Sequence, residues 1–362
     1  MDRLKVLRMK IKKTDQRILN LIQKRMLLSG EIGREKKKIG IALQDWSVEK
    51  SVIQNAIRYA EDIGIDVNFA RTLITKIIEQ SRIQQERLHY SVYSGKKEDV
   101  LIVGGLGGMG RWFAYFLQNQ GHRVAINDIK RPGRCGFSYY KDIKSALREK
   151  SLVLISTPLN IVPGIIETLT ELNCKAVVCD IASVKSHIIP AIKRAIEKNI
   201  KITSIHPMFG PSCRTLSDKV VCLCDCGSSE ANGMIMNIFK NTAVRIINLS
   251  FDEHDRLVSY VLGLSHFINI LFMKNLMDSG YKFKDLKKIA STTFNAQMET
   301  TNSVIKENPE LYFEIQSLNP YTLDLYKNLT MCMDSLMKIV KKGKRDAFKK
   351  VFQKGTRWLD EY

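Results

Sequence analysis

A chain of 362 residues with 44% hydrophobic and 26% charged residues has the balance of a folded globular protein and the length of two or three domains, which excludes extended disorder and fibrous repeats. Its formal charge of +20 is spread along the chain, with 21 basic against 12 acidic residues over 1–98 and 36 against 25 over 99–362. Without zinc-finger spacing or an aromatic RNP pattern, that excess suits small anionic substrates better than nucleic acid. Apolar positions at Leu4, Leu7, Ile11, Ile18, Leu21, Ile22 and Ile32 predict one long amphipathic helix over 2–38. A second helical pattern follows Asp45 and ends at Gly64, and Asp66 is a fair N-cap for a third helix reaching about Tyr90. Three such helices cannot close a core alone, so this module is expected to dimerise or to pack on a neighbour. The polar stretch SVYSGKKED, 91–99, reads as a linker.

Beyond it the texture changes. Runs rich in β-formers at 100–104, 123–127, 152–156, 176–180, 201–205 and 220–224 alternate with helical stretches, the pattern of a doubly wound parallel sheet. From Phe251 the chain is helical again. All eight prolines lie between Pro132 and Pro320. The domain boundaries implied are 1–93, 99–249 and 250–362: an all-α N-terminal part, an α/β Rossmann-type domain and an all-α C-terminal part. The apolar runs at 151–155 and 261–272 read as too short or too polar to span a bilayer. No apolar stretch precedes a cleavage site near the N-terminus. Eight cysteines without framework spacing read as reduced thiols. A cytoplasmic protein with no membrane segment is expected.

The strand VLIVG runs into Gly105-x-Gly107-x-x-Gly110, with Met109 inside the loop, and a helix follows. A second strand then ends in Asp128, 23 residues beyond Gly105. In that context the glycines form a dinucleotide fingerprint. Gly105 is expected to permit the tight turn, Gly107 the approach of the pyrophosphate, and Gly110 close packing of helix on strand. Asp128 should accept from ribose hydroxyls and repel a 2′-phosphate, which points to NAD. Lys130 and Arg131 stand close enough to leave NADP open. Thr157 follows the strand at 152–156 and should lie at the same carboxyl edge, where ligands bind in this architecture. Of six histidines, His206 directly follows the strand KITSI at that edge. A histidine placed there can take a proton from a substrate hydroxyl as hydride leaves for nicotinamide. Cys222, Cys224 and Cys226 alternate along a strand, an arrangement that rarely forms a metal cage, and Cys222 and Cys224 read as strand core; no metal is expected.

The segments VLIVGGLGGMGRWF, CDIASVK, SIHPMFGP and FDEHDRLVSYVLGLSHF together resemble prephenate dehydrogenase from about residue 99 onward. The N-terminal helices resemble the helical class of chorismate mutase, so the whole chain is similar to the bifunctional chorismate mutase–prephenate dehydrogenases of tyrosine biosynthesis. The resemblance implies that the C-terminal helices form a dimerisation domain and the protein a homodimer. It implies that His206 accepts the proton of the prephenate ring hydroxyl, that Ser183 assists at the same hydroxyl, and that His266 lies near the substrate pocket, where tyrosine acts as inhibitor. Many relatives carry an arginine that clamps a prephenate carboxylate; this chain reads NPYTLDLYK with Tyr321 at that position, and Lys327 is the candidate replacement. Arogenate in place of prephenate stays open, as does a helical module that only dimerises or regulates.

Rearranging chorismate needs no nucleophile or metal, only cations for two carboxylates, a donor at the breaking ether oxygen and walls that hold the reactive conformer. The resemblance assigns carboxylate binding to Arg8 and Arg25, the ether oxygen to Lys36 and Gln85, the ring hydroxyl to Glu49, and further contacts to Asp45 and Ser81. A family arginine one residue before the glutamate is Val48 here. Helical spacing agrees in part. At about 100° per residue, Arg25 and Lys36 fall nearly on one face, and Asp45/Glu49 and Ser81/Gln85 are i,i+4 pairs. Arg8 lies roughly 100° off that face and roughly 25 Å along the axis from Arg25. It can serve only a site completed by another chain.

Overall fold

The computed structural model describes residues 3–38, 46–90, 95–131, 133, 136–216 and 218–361, with the backbone alone at 37–38, 46–47 and 82–90. These fall into two compact units, residues 1–182 with 190–249 and residues 183–189 with 250–362.

The first unit begins with helices α1 (Arg3–Lys38), α2 (Trp46–Asp62) and α3 (Val67–Tyr90). The Asp66 carboxylate accepts from the Phe69 amide at 2.8 Å and caps α3 as its sequence position suggested. Both α1 and α2 pack along α3. The only buried apolar side chains described in these three helices are Ala60 and Ile78, whereas Leu7, Ile11, Ile18, Leu19 and Leu21 of α1 are exposed.

The remainder of this unit is an eight-stranded sheet in the order β3-β2-β1-β4-β5-β6-β7-β8. Its elements run β1 (Asp99–Val103), α4 (Gly108–Asn119), β2 (Arg123–Asn127), β3 (Ser138–Tyr140), α5 (Ile143–Ala146), β4 (Leu152–Ile155), α6 (Val162–Glu171), β5 (Val177–Asp180), α7 (Ile189–Glu197), β6 (Ile202–Pro207), β7 (Val220–Cys224), α8 (Ser229–Phe239) and β8 (Arg245–Asn248). Central strands buried on both faces, such as Val100–Val103 and Leu152–Ile155, read as continuous apolar runs because helices cover both sides. The sheet is not wholly parallel as expected: β6 and β7 run antiparallel, with His206 opposite Cys222. The described residues of the connection between them contain no helix, and a parallel return needs a crossover that is usually helical. The edge strands β3 and β8 escaped the sequence reading because they are short and largely uncovered.

The second unit joins the segment 183–189 to helices α9 (Phe251–Val258), α10 (Ser265–Asp278), α11 (Phe283–Lys288), α12 (Thr292–Ile305), α13 (Pro309–Leu318), α14 (Thr322–Lys341) and α15 (Arg345–Asp360). A capping box between Ser250 and Glu253 starts α9. A π-helical turn, Ser259–Leu264, carries α9 into α10. The continuous stretch Phe251–Asp278 is therefore long and apolar enough, by length and composition alone, to cross a membrane. The run 261–272, which reads as too short or too polar to span a bilayer on its own, is only part of this continuous stretch. Within its unit the stretch packs by specific polar contacts. Gln316 of α13 donates to the Gly263 carbonyl at 2.9 Å, and Thr301 of α12 donates to Asn269 Oδ1 at 2.7 Å.

Candidate active sites

The glycine loop leaves β1 at Gly104, where φ is +81° and an added Cβ would lie 2.4 Å from the Ser156 carbonyl oxygen. The tight turn expected at Gly105 is thus made one residue earlier. Gly105 itself is required for space, since a Cβ would meet Ile126 at 2.5 Å. Gly110 behaves as expected: a Cβ there would lie 2.2 Å from the Gly104 carbonyl, so α4 seats directly against the end of β1. Gly107 caps α4 with no side chain of its own. The first amides of α4 therefore point at whatever anion lies before them. Met109 packs partly buried against the sheet core.

Asp128 follows β2 and is fixed beside this loop. Its Oδ2 accepts from the Leu106 amide at 2.9 Å and its Oδ1 from the Lys130 amide at 3.1 Å, while Tyr139 donates to its carbonyl at 3.1 Å. The side chains of Lys130 and Arg131 are exposed. β4 adjoins β1, so Thr157 stands across the switch point of the sheet from the glycine loop. Its Oγ1 is buried and has no hydrogen-bond partner among the described residues. A glycine cradle, a fixed carboxylate and an orphaned hydroxyl at one switch point fit a dinucleotide. His206, only 4% exposed, sits at the carboxyl end of β6, three strand spacings or about 14 Å from β1.

In the second unit Ser183 is half-buried at the start of the 183–189 segment. His266 lies against Tyr312 with ring centroids 4.1 Å apart. Its Nδ1 is buried without a hydrogen-bond partner among the described residues, and burial pushes its pKa down to about 4. Lys327 pairs with Asp324 at 3.0 Å, both side chains being exposed. The cation beside Tyr321 is instead Arg256, whose guanidinium lies 5.1 Å over the ring. Asp252 takes the Tyr321 hydroxyl and pairs with Arg256 at 3.2 Å. The i,i+4 spacing of Asp252 and Arg256 was readable in sequence; their meeting with Tyr321 was not.

Among the N-terminal helices, Arg25 and Ser81 come together. The Arg25 Nη1 donates to Ser81 Oγ and to the Ile77 carbonyl at 3.4 Å, and Ser81 donates to Ile77 at 2.8 Å. Burial pulls the Arg25 guanidinium below its ordinary value. Ser29, buried one turn after Arg25, donates to the Ser81 carbonyl at 3.5 Å. It was missed, although its i+4 spacing from Arg25 places it on the same face. Lys36 and Glu49 are half-buried and Arg8 is exposed. Asp45 and the side chain of Gln85 lie outside the described residues.

Three families match in succession: "Chorismate mutase type II" over residues 7–86, "Prephenate dehydrogenase, nucleotide-binding domain" over 113–248, and "Prephenate dehydrogenase, dimerization domain" over 250–354. The chain is 24% identical to the T-protein of Enterobacter agglomerans over 359 residues, covering 99% of this chain and 94% of that protein. It is 26% identical to a probable arogenate/prephenate dehydrogenase of Methanocaldococcus jannaschii, covering 71% of this chain and 60% of that one. Its fold is similar to that of prephenate dehydrogenase from Aquifex aeolicus, solved with hydroxyphenyl propionate and NAD+, with a TM-score of 0.61, 18% identity, and coverage of 74% of this chain and 100% of the other.

Proposed function

This chain belongs to the family that fuses a type II chorismate mutase to a prephenate dehydrogenase, and from that premise we propose how its own residues divide two consecutive steps of tyrosine biosynthesis. The first rearranges chorismate to prephenate. Arg25, which donates to Ser81, itself held at its carbonyl by Ser29, holds a substrate carboxylate. Lys36 and Gln85 address the ether oxygen, and Glu49 and Asp45 hold the hydroxyl side of the ring. Partial burial of Arg25, Lys36 and Glu49 strengthens their charge contacts over their worth in water. Arg8 supplies its cation to the site of a second copy, which makes the working unit a homodimer.

The second step oxidises prephenate and releases its ring carboxylate as CO2, giving 4-hydroxyphenylpyruvate. NAD, held by the amides around Gly107 and Gly110, by Asp128 and by Thr157, supplies the two-electron acceptor. His206 takes the proton of the ring hydroxyl as the carbinol carbon is oxidised, and Ser183 holds the same hydroxyl. The C–C bond to the carboxylate then breaks, its electron pair completes the aromatic ring, and the ring oxygen takes back the proton held by His206. Aromatisation drives the step, so the protein's task is orientation and one base. Tyrosine, which shares the product's ring and hydroxyl, is the expected inhibitor near His266. The cytoplasm is the expected compartment, where cysteines without framework spacing stay reduced.

The observation that carries this reading is His206 at the carboxyl edge of the sheet whose switch point holds the glycine loop and Asp128. The full chain supplied with chorismate and NAD should form NADH with no added mutase. NADH from prephenate but none from chorismate would strip the helical module of its activity, and none from either would overturn the reading.

A further inference from the structure

A buried carboxylate ties the start of the 183–189 segment to α9. Asp255 of α9 is fully buried, and its Oδ1 accepts from the Lys185 amide at 2.8 Å and contacts His254 Nδ1 at 2.8 Å. Its Oδ2 accepts from the Ser186 amide at 2.7 Å and the Ser186 hydroxyl at 2.6 Å. Its own carbonyl accepts from Asn319 at 2.8 Å. Serine, aspartate and histidine thus meet, but in an order that makes no nucleophile: Ser186 donates to the carboxylate rather than to the imidazole.

A buried carboxylate costs several kcal/mol to desolvate and is sustained only when its lone pairs are filled. Here that filling comes from two successive backbone amides, Lys185 and Ser186, which begin two residues after Ser183. Two amides aimed at one carboxylate fix the orientation of the peptide planes as well as the place of the loop. Apolar packing alone would not do this, being non-directional. Burial raises the Asp255 pKa, but the hydrogen bonds from His254, Ser186 and Lys185 outweigh it and hold the group below the ordinary carboxylate range.

We propose that Asp255 is a positioning residue of the dehydrogenase, acting through the loop that carries Ser183. This rests on the assignment of Ser183 to the substrate hydroxyl. Asp255→Asn sets an amide donor against donors already in place and displaces the loop. Dehydrogenase kcat per folded enzyme should fall roughly 10- to 100-fold, the usual effect of a misplacement near 1 Å, with a smaller change in KM and unchanged mutase activity. Hydrogen exchange at the Lys185 and Ser186 amides should accelerate.

The decisive readout is a double-mutant cycle with Ser183→Ala. In that background Asp255→Asn should cost less than about threefold, because residues acting through one another are not additive. Ser186→Ala, which removes one hydroxyl donor and keeps the amide, should show the same non-additivity on a smaller scale if Asp255→Asn folds poorly. Independent multiplication of the two effects would overturn the proposal, as would undiminished kcat in Asp255→Asn. A Ser183→Ala enzyme with normal turnover would also overturn it, by leaving the loop nothing to position. The His206 assignment would then stand or fall on its own variant.

Discussion

The sheet and the N-terminal helices occupy one chain but solve the problem of a core in opposite ways. The sheet closes on itself: Val100, Leu101, Ile102, Leu152 and Ile155 are each 0% exposed. Helix α1 does not: Leu19 and Leu21 are 65% and 66% exposed, and Ile11 is 61% exposed. At about 25 cal/mol per Å2 of apolar surface, a row of such side chains represents several kcal/mol that only a further surface can recover. The difference teaches where each site ends. The glycine loop, Asp128 and Thr157 lie at one switch point of the sheet, whereas among the described mutase candidates Arg25 meets Ser81 and Arg8 lies roughly 25 Å further along the same helix.

The sharpest break between the regions is chemical. His206→Asn should lower dehydrogenase turnover by roughly two to four orders of magnitude, the worth of a positioned base, and leave chorismate consumption untouched. Parallel loss of both activities, measured separately by NADH formation from prephenate and by chorismate disappearance, would show that the regions do not work independently.

A smaller effect distinguishes the C-terminal helices from both. His266 is neutral in the folded unit, with its pKa lowered from 6.5 to about 4. The unfolded chain binds the extra proton first, so stability from this group is fully present above about pH 6.5 and is lost as pH falls toward 4. The full loss corresponds to about 3 kcal/mol. Unfolding followed in denaturant at pH 7 and pH 4 should show it, and His266→Phe should flatten that part of the profile. Asp255, whose folded pKa is also lowered, adds stability that is lost only as pH falls below the ordinary aspartate range, and so leaves this window to His266. An unchanged slope between pH 6.5 and 4 in His266→Phe would contradict the assignment.

What was legible in the sequence follows from what is local. The helix over 2–38, the Asp66 cap and six of the strands were readable because periodicity, capping and β-rich runs are properties of neighbouring residues. The glycine loop was readable for the same reason, although only the backbone showed that Gly104 and not Gly105 makes the turn. The reversal of β7 was hidden because it depends on the helix-free connection after β6. Ser29, Arg256 and Asp255 were missed because their roles depend on partners reached only after folding: the Ser81 carbonyl, Tyr321, and the amides of Lys185 and Ser186.

The most direct test of the account is whether the mutase site is shared. Arg8→Ala and Arg25→Ala, each expressed alone, should be nearly inactive as mutases while retaining prephenate oxidation. Co-expressed, they should form mixed dimers in which one of two sites holds both arginines. With random pairing that restores about a quarter of wild-type mutase activity. Mixed dimers no more active than either parent, or a mutase fully active as a monomer, would contradict a site completed by a second chain.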